Sequence, residues 1–141
     1  MLTVHLLCHG TLKEDYLRDA CAEYRKRLSA FCRLELYEAK DNASLAEKIP
    51  KRGYKIALCV EGKQLSSEEL SEKIEGLQTG GVSDLTLVIG GSDGLPEEIK
   101  ALCDLRLSFS RMTFPHQLMR VILMEQLYRA FTIQKGITYH K

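Results

Sequence analysis

His116 and Arg120 stand four residues apart in the stretch SFSRMTFPHQLMRVILMEQLYRAF, residues 108–131, with Ser108, Ser110 and Thr113 just before them. On a helix this spacing puts both side chains on one face. An imidazole changes charge near neutral pH while a guanidinium stays charged, so the pair could hold an anion or move a proton. Helix capping and surface charge explain the same residues more plainly, and on these residues alone that reading is preferred. Arg129 lies nine residues beyond Arg120, half a turn out of phase, and needs a partner of its own. Gly90, Gly91 and Gly94 follow an apolar run and precede a helical pattern. That is where main-chain N–H groups can meet a ligand at the carboxyl edge of a parallel sheet. The spacing matches neither a dinucleotide fingerprint nor a P-loop, so an ordinary turn fits it equally well. Glu61-Gly62-Lys63 leaves a second strand in the same way, and two such loops predict a pocket at one edge.

Several elements must position these groups. Leu2 to Cys8 is a short apolar run closed by His9-Gly10 and reads as a buried strand. Lys13 to Leu28 repeats apolar residues at helical spacing, with Arg18, Arg25, Lys26 and Arg27 on the other, solvated face. Phe31 to Ala39 alternates with a period of two, the mark of an edge strand. Asn42 to Ile49 is a short helix stopped by Pro50 and Gly53, and Tyr54 to Gly62 is another strand. Ser66 with Glu69 forms a capping-box pattern opening a helix to about Leu77. Asp84 to Gly91 is the most apolar strand; Pro96 opens a helix ending near Cys103, and Leu105 to Ser110 is a last strand. The final helix runs from about Pro115 to Gln134, apolar on nearly every face, which predicts cover on more than one side and, most simply, a twofold homodimer. Alternating strands and helices predict an α/β fold with a mostly parallel sheet.

Composition narrows the class. The chain has 141 residues, 45% hydrophobic and 28% charged, which suits one globular domain. A net charge of +1 leaves no global polycation for nucleic acid, so any RNA contact must be local or shared with a partner chain. No apolar run reaches the length of a membrane helix and no signal-peptide pattern opens the chain, so the expectation is a cytoplasmic protein. Five cysteines, with no C-x-x-C pair, read as buried thiols rather than a zinc site or a disulfide framework.

The segments IGGSDGL, LSFSRMTFPHQLMRVILMEQLYRAF and the terminal YHK, with EYRKRL and LCVEGKQLSSEEL, resemble the RlmH (YbeA-like) family of SPOUT-class enzymes along the whole chain. The resemblance implies a single SPOUT methyltransferase domain over 1–141, α/β with helices on both faces of a mostly parallel sheet and a C-terminal trefoil knot. It implies S-adenosyl-L-methionine as cofactor, S-adenosyl-L-homocysteine as product and no metal. The reaction implied is methylation of N3 of a pseudouridine in large-subunit ribosomal RNA, on the assembled ribosome, by a homodimer. Carried over onto matching positions, the cofactor contacts are Leu58, Gly90, Phe109, Ser110, Arg111, Met112, Thr113 and Phe114, and the substrate-site residues are His116, Arg129, Tyr139 and His140. One of the two histidines would take the N3 proton, Arg129 would orient RNA or stabilise charge, and Tyr139 would stack on or hydrogen-bond the base. Two departures stand out: residues 39–50 form a shorter region than the family usually has, and Cys59 stands where an aspartate is common. A SPOUT methyltransferase with another acceptor, and a non-catalytic ribosome-binding module, are the rival readings.

Overall fold

The computed structural model describes residues 1–139; His140, expected at the substrate site, lies outside the described residues. Five strands, β1 (Thr3–His9), β2 (Arg33–Ala39), β3 (Tyr54–Gln64), β4 (Asp84–Ile89) and β5 (Leu105–Ser108), form one sheet in the order β2-β1-β4-β3-β5, every ladder parallel. The side-chain period of two splits each inner strand between two cores. Val4, Leu6, Ile56, Leu58, Leu85 and Leu87 point to one face, packed under α1 (Asp15–Leu28), α3 (Ser67–Thr79) and α5 (His116–Lys135). Leu7, Ala57 and Val88 point to the other, against Leu45 of α2 (Asn42–Lys48) and Ile99 of α4 (Glu97–Lys100). Helices therefore cover both faces, and β2 is the edge strand that its alternation predicts, with Arg33, Glu35 and Glu38 exposed.

Local chemistry sets the element ends. Ser66 Oγ accepts from the Glu69 N–H at 3.0 Å while Glu69 Oε1 accepts from the Ser66 N–H at 2.8 Å, closing the capping box at the start of α3. Three boundaries differ from expectation. Helix α4 is a single turn: it begins only after Pro96, which keeps an extended backbone as its N-cap, and it stops short of Cys103, where the Asp104 N–H joins the sheet at Lys55 O, 2.8 Å away. Strand β5 stops at Ser108, where the Ser108 hydroxyl donates to Ser110 O at 2.9 Å and the Met112 N–H donates to Ser110 Oγ at 3.0 Å, building a turn instead of a ladder. Strand β3 continues to Gln64, with both Leu58 and Lys63 opposite Leu107, so that residues 59–62 arch out as a bulge. Gly62 is needed where the arch returns: a Cβ there would stand 2.7 Å from the backbone of Arg106.

Helix α5 is the spine of the larger core. Contacts with both α1 and α3 flank it, so its own chain covers more of its apolar circumference than one sheet face alone would. Leu123, Leu127, Ala130 and Phe131 are closed off, whereas Leu118 is exposed and Val121 and Ile122 are half-buried. Phe131 stacks on Phe31 with ring centroids 5.7 Å apart, which ties α5 to the turn after α1. Phe131→Ala is expected to cost about 3–5 kcal/mol, read as a lower midpoint in urea at unchanged slope. No described helix is long and apolar enough to cross a membrane.

Candidate active site

The carboxyl ends of β3, β4 and β5 open into a cleft of about 600 Å³. Ligands of open α/β sheets bind at this edge, and the volume suits a nucleoside-sized molecule. Three segments wall it: the β3 arch with Leu58, Cys59, Val60 and Glu61; the glycine loop from Ile89 to Leu95; and the chain from Leu107 to Ser110 and from Met112 to His116, with Met119 one turn further on. Of the residues implied as cofactor contacts, Leu58, Gly90, Phe109, Ser110, Met112, Thr113 and Phe114 line the cleft. Arg111 stands in the same loop but is exposed and not part of the wall.

Gly90 is fixed by close approach, since a Cβ on it would lie 2.6 Å from the carbonyl carbon of Gly94. Gly90→Ala should therefore spread the loop and weaken cofactor affinity by about tenfold or more, measured by calorimetry, and lower the melting temperature as well, because the atoms that must give way are backbone. His9, at the end of β1, lies against the next residue of the loop: its Nδ1 is 2.7 Å from where a Cβ on Gly91 would stand.

His116 opens α5 at the rim of the cleft and is half-buried. Burial first, then the charges of His9, Arg120 and Lys13, hold its imidazole below its ordinary value, so at neutral pH it is uncharged and free to accept a proton. Arg120 is not beside it at the surface, as the shared helix face suggested. Its guanidinium turns inward, donating to Glu38 Oε2 at 2.6 Å and to Gly10 O at 3.0 Å, both acceptors from its own chain.

Arg129 and Tyr139 form a second cluster. Arg129 Nη2 donates to Glu125 Oε2 at 2.7 Å, the Tyr139 hydroxyl donates to the same oxygen at 2.9 Å, and the guanidinium lies 5.0 Å from the Tyr139 ring centroid. Burial and the Glu125 carboxylate push the Tyr139 phenol well above its ordinary value, so it is a hydrogen-bond donor and not a base. Thirteen positions of α5 separate Arg129 from His116, about 20 Å at 1.5 Å per residue, so one chain does not bring the two clusters together.

Sequence reasoning missed His9, Met119 and Lys100 as cleft neighbours. His9 had a usable signal, since it closes a strand at the ligand-binding edge. Lys100, which pairs with Glu61 of the β3 arch, had none, because that contact spans 39 residues. The thiols depart from expectation as well: Cys8, Cys21 and Cys32 are buried, but Cys59 and Cys103 are only half-buried, being on an arch and a turn and not in the core. Cys59 lines the cleft, and burial raises its pKa, so the group there is a neutral thiol. Among the described residues no group of three or more His, Cys, Asp or Glu is placed to hold a metal.

Comparison with known proteins gives the site its context. Ribosomal RNA large subunit methyltransferase H of Leuconostoc mesenteroides subsp. mesenteroides is 46% identical over 159 residues, covering 99% of this chain and all of the relative. That alignment is longer than the chain, so the relative carries residues missing here. A probable methylase family protein from Haemophilus influenzae Rd KW20 shares the fold with a TM-score of 0.60 at 11% identity, over 98% of this chain and 70% of its own. A putative methyltransferase from Legionella pneumophila, solved with bound S-adenosylmethionine, superposes with a TM-score of 0.51 at 12% identity, over 92% of this chain and 66% of its own. The family described as "Predicted SPOUT methyltransferase" matches residues 2–140, and the chain belongs to it.

Proposed function

We propose that this protein transfers the methyl group of S-adenosylmethionine to N3 of a pseudouridine in large-subunit ribosomal RNA, on the assembled ribosome, as a cytoplasmic single-domain homodimer. The observation that carries the reading is the cleft, walled by seven of the eight residues that the family resemblance nominates for the cofactor. The name of the relative from Leuconostoc supports ribosomal RNA as the acceptor.

The residues present fit such a cofactor. Leu58, Ile89, Leu107 and Met119 offer an apolar slot for a purine, with main-chain polar groups of the glycine loop and of residues 109–114 at its rim. S-adenosylmethionine would supply a methyl group on a positively charged sulfur. The chain's own task is then to bind the base and take the N3 proton. A neutral His116 at the rim can accept that proton, with His140 the other candidate. Arg129 would steady the negative charge left on the ring, and Tyr139, its one O–H held by Glu125, would stack on the base or accept a hydrogen bond from it.

Dimerisation is part of the proposal. The α5 surface keeps Leu118 exposed, with Val121 and Ile122 half-buried. A second copy packed antiparallel on it would bring its own Arg129 and Tyr139 toward this His116. The exposed Arg25 and Lys26 of α1, which have no place in the cleft, are candidates for phosphate contact.

The test is incubation with methyl-labelled S-adenosylmethionine and, separately, assembled ribosomes, free large subunits and naked ribosomal RNA from cells lacking the enzyme. Label on N3 of a pseudouridine, mainly with assembled ribosomes, is the expected result. Cofactor binding with no label on any RNA would redirect the search to another acceptor, and no cofactor binding at all would favour a non-catalytic module.

A further inference from the structure

Among the described residues, Arg120 is the one charged side chain that the core closes over, with 2% of its surface exposed. The neighbouring Cys8 thiol is pushed up by burial to about 12, so no thiolate balances the guanidinium. Its partners lie at the ends of two strands: the Glu38 carboxylate at 2.6 Å on β2 and the Gly10 carbonyl at 3.0 Å just after β1. A second tie runs beside it, the Lys13 N–H donating to Gln117 Oε1 at 3.2 Å. A buried ion pair gains little stability over an apolar side chain of similar size. What a planar guanidinium with two fixed acceptors adds is direction.

We propose that Arg120 is a positioning residue: by tying the second turn of α5 to the ends of β1 and β2, it fixes where His116 stands at the rim of the cleft. His116 is one turn earlier, and helical side chains lean toward the amino end, so the Arg120 tie holds the turn that presents the imidazole. A fixed cation here also disfavours the imidazolium. The charged and titratable groups around His116 are His9 of β1, Lys13 of the β1–α1 connection and Arg120 itself. The Glu38 carboxylate is engaged by Arg120. The catalytic consequence rests on the methyl-transfer reading of the cleft, while the positioning can be read without it.

The experiment compares the protein carrying Arg120→Lys, Arg120→Met or Glu38→Gln with the parent. It measures melting, cofactor affinity by calorimetry, kcat and KM on ribosomes, and the titration of the His116 ring by NMR. One ammonium cannot reach both acceptors as the guanidinium does, so Arg120→Lys is expected to fold yet lose about tenfold or more in kcat, with cofactor affinity within about threefold. In Arg120→Met the His116 titration should move to higher pH, because a cation opposing its protonation is gone. If Arg120→Met does not fold, Arg120→Lys and Glu38→Gln carry the comparison. A folded Arg120→Lys with parental kcat and parental His116 resonances overturns the proposal. If His116→Ala proves fully active, the catalytic reading fails by itself; displaced His116 resonances in Arg120→Lys then still uphold the positioning, and unchanged ones sink it.

Discussion

His116→Ala is expected to lower kcat by about 10²–10⁴, the usual contribution of a positioned general base, while cofactor affinity stays close to that of the parent protein. The imidazole borders the cleft but contributes one wall among many, so its loss should remove proton transfer and leave most of the binding surface. The pH profile makes the assignment specific. Burial and neighbouring cations hold the His116 pKa below its ordinary value, and only the neutral ring accepts a proton. Activity should therefore be full at neutral pH and fall as pH drops through that lowered value. In His116→Ala this acid limb should vanish, leaving a low, flat rate. A variant that keeps the parental limb would assign the titration to another group, His140 first.

Pairing two inactive chains should restore activity. In a heterodimer of His116→Ala with Arg129→Met, isolated through two different tags, a site shared between subunits leaves one pair of clusters wholly intact and the other doubly damaged. About half of the parental rate per dimer is then expected from the twofold geometry. Were each site built within one chain, both sites in the heterodimer would carry one lesion and the rate would stay at the level of the single variants. The distance along α5 is the reason to expect the first outcome: Arg129 is about 20 Å from His116 by helical rise, beyond the reach of a single base. Arg129→Met also strips Glu125 of its guanidinium partner and leaves it the Tyr139 hydroxyl and the Gln126 amide as donors, so the melting temperature of the single variant belongs beside its rate.

Local chemistry made much of this architecture readable in one dimension. The alternation in residues 31–39 predicts an edge strand and the Ser66–Glu69 pair predicts a helix start, because both depend on contacts within a few residues. The glycine loop was legible as part of a pocket for a different reason: strand ends followed by loops fall at one edge of a parallel sheet whatever the remaining chain does, whereas the 108–116 segment was nominated by the family resemblance. Boundaries were less legible where a distant partner intervened. The shortened α4 answers to Lys55, and the β3 arch to its repeated pairing with Leu107.

By itself, the sequence determined the order of the elements, the two faces of each strand and the two glycine loops that wall the cleft, since each is encoded by spacing along the chain, and its resemblance to a family nominated the third wall. Tertiary structure alone decided that Arg120 points into the core, that His9 lies against the glycine loop and that Arg129 belongs with Glu125 and Tyr139 at the far end of α5. The physical reason is that charge and hydrogen bonding act through space: Arg120 and Glu38 are 82 positions apart in the chain and 2.6 Å apart in the fold.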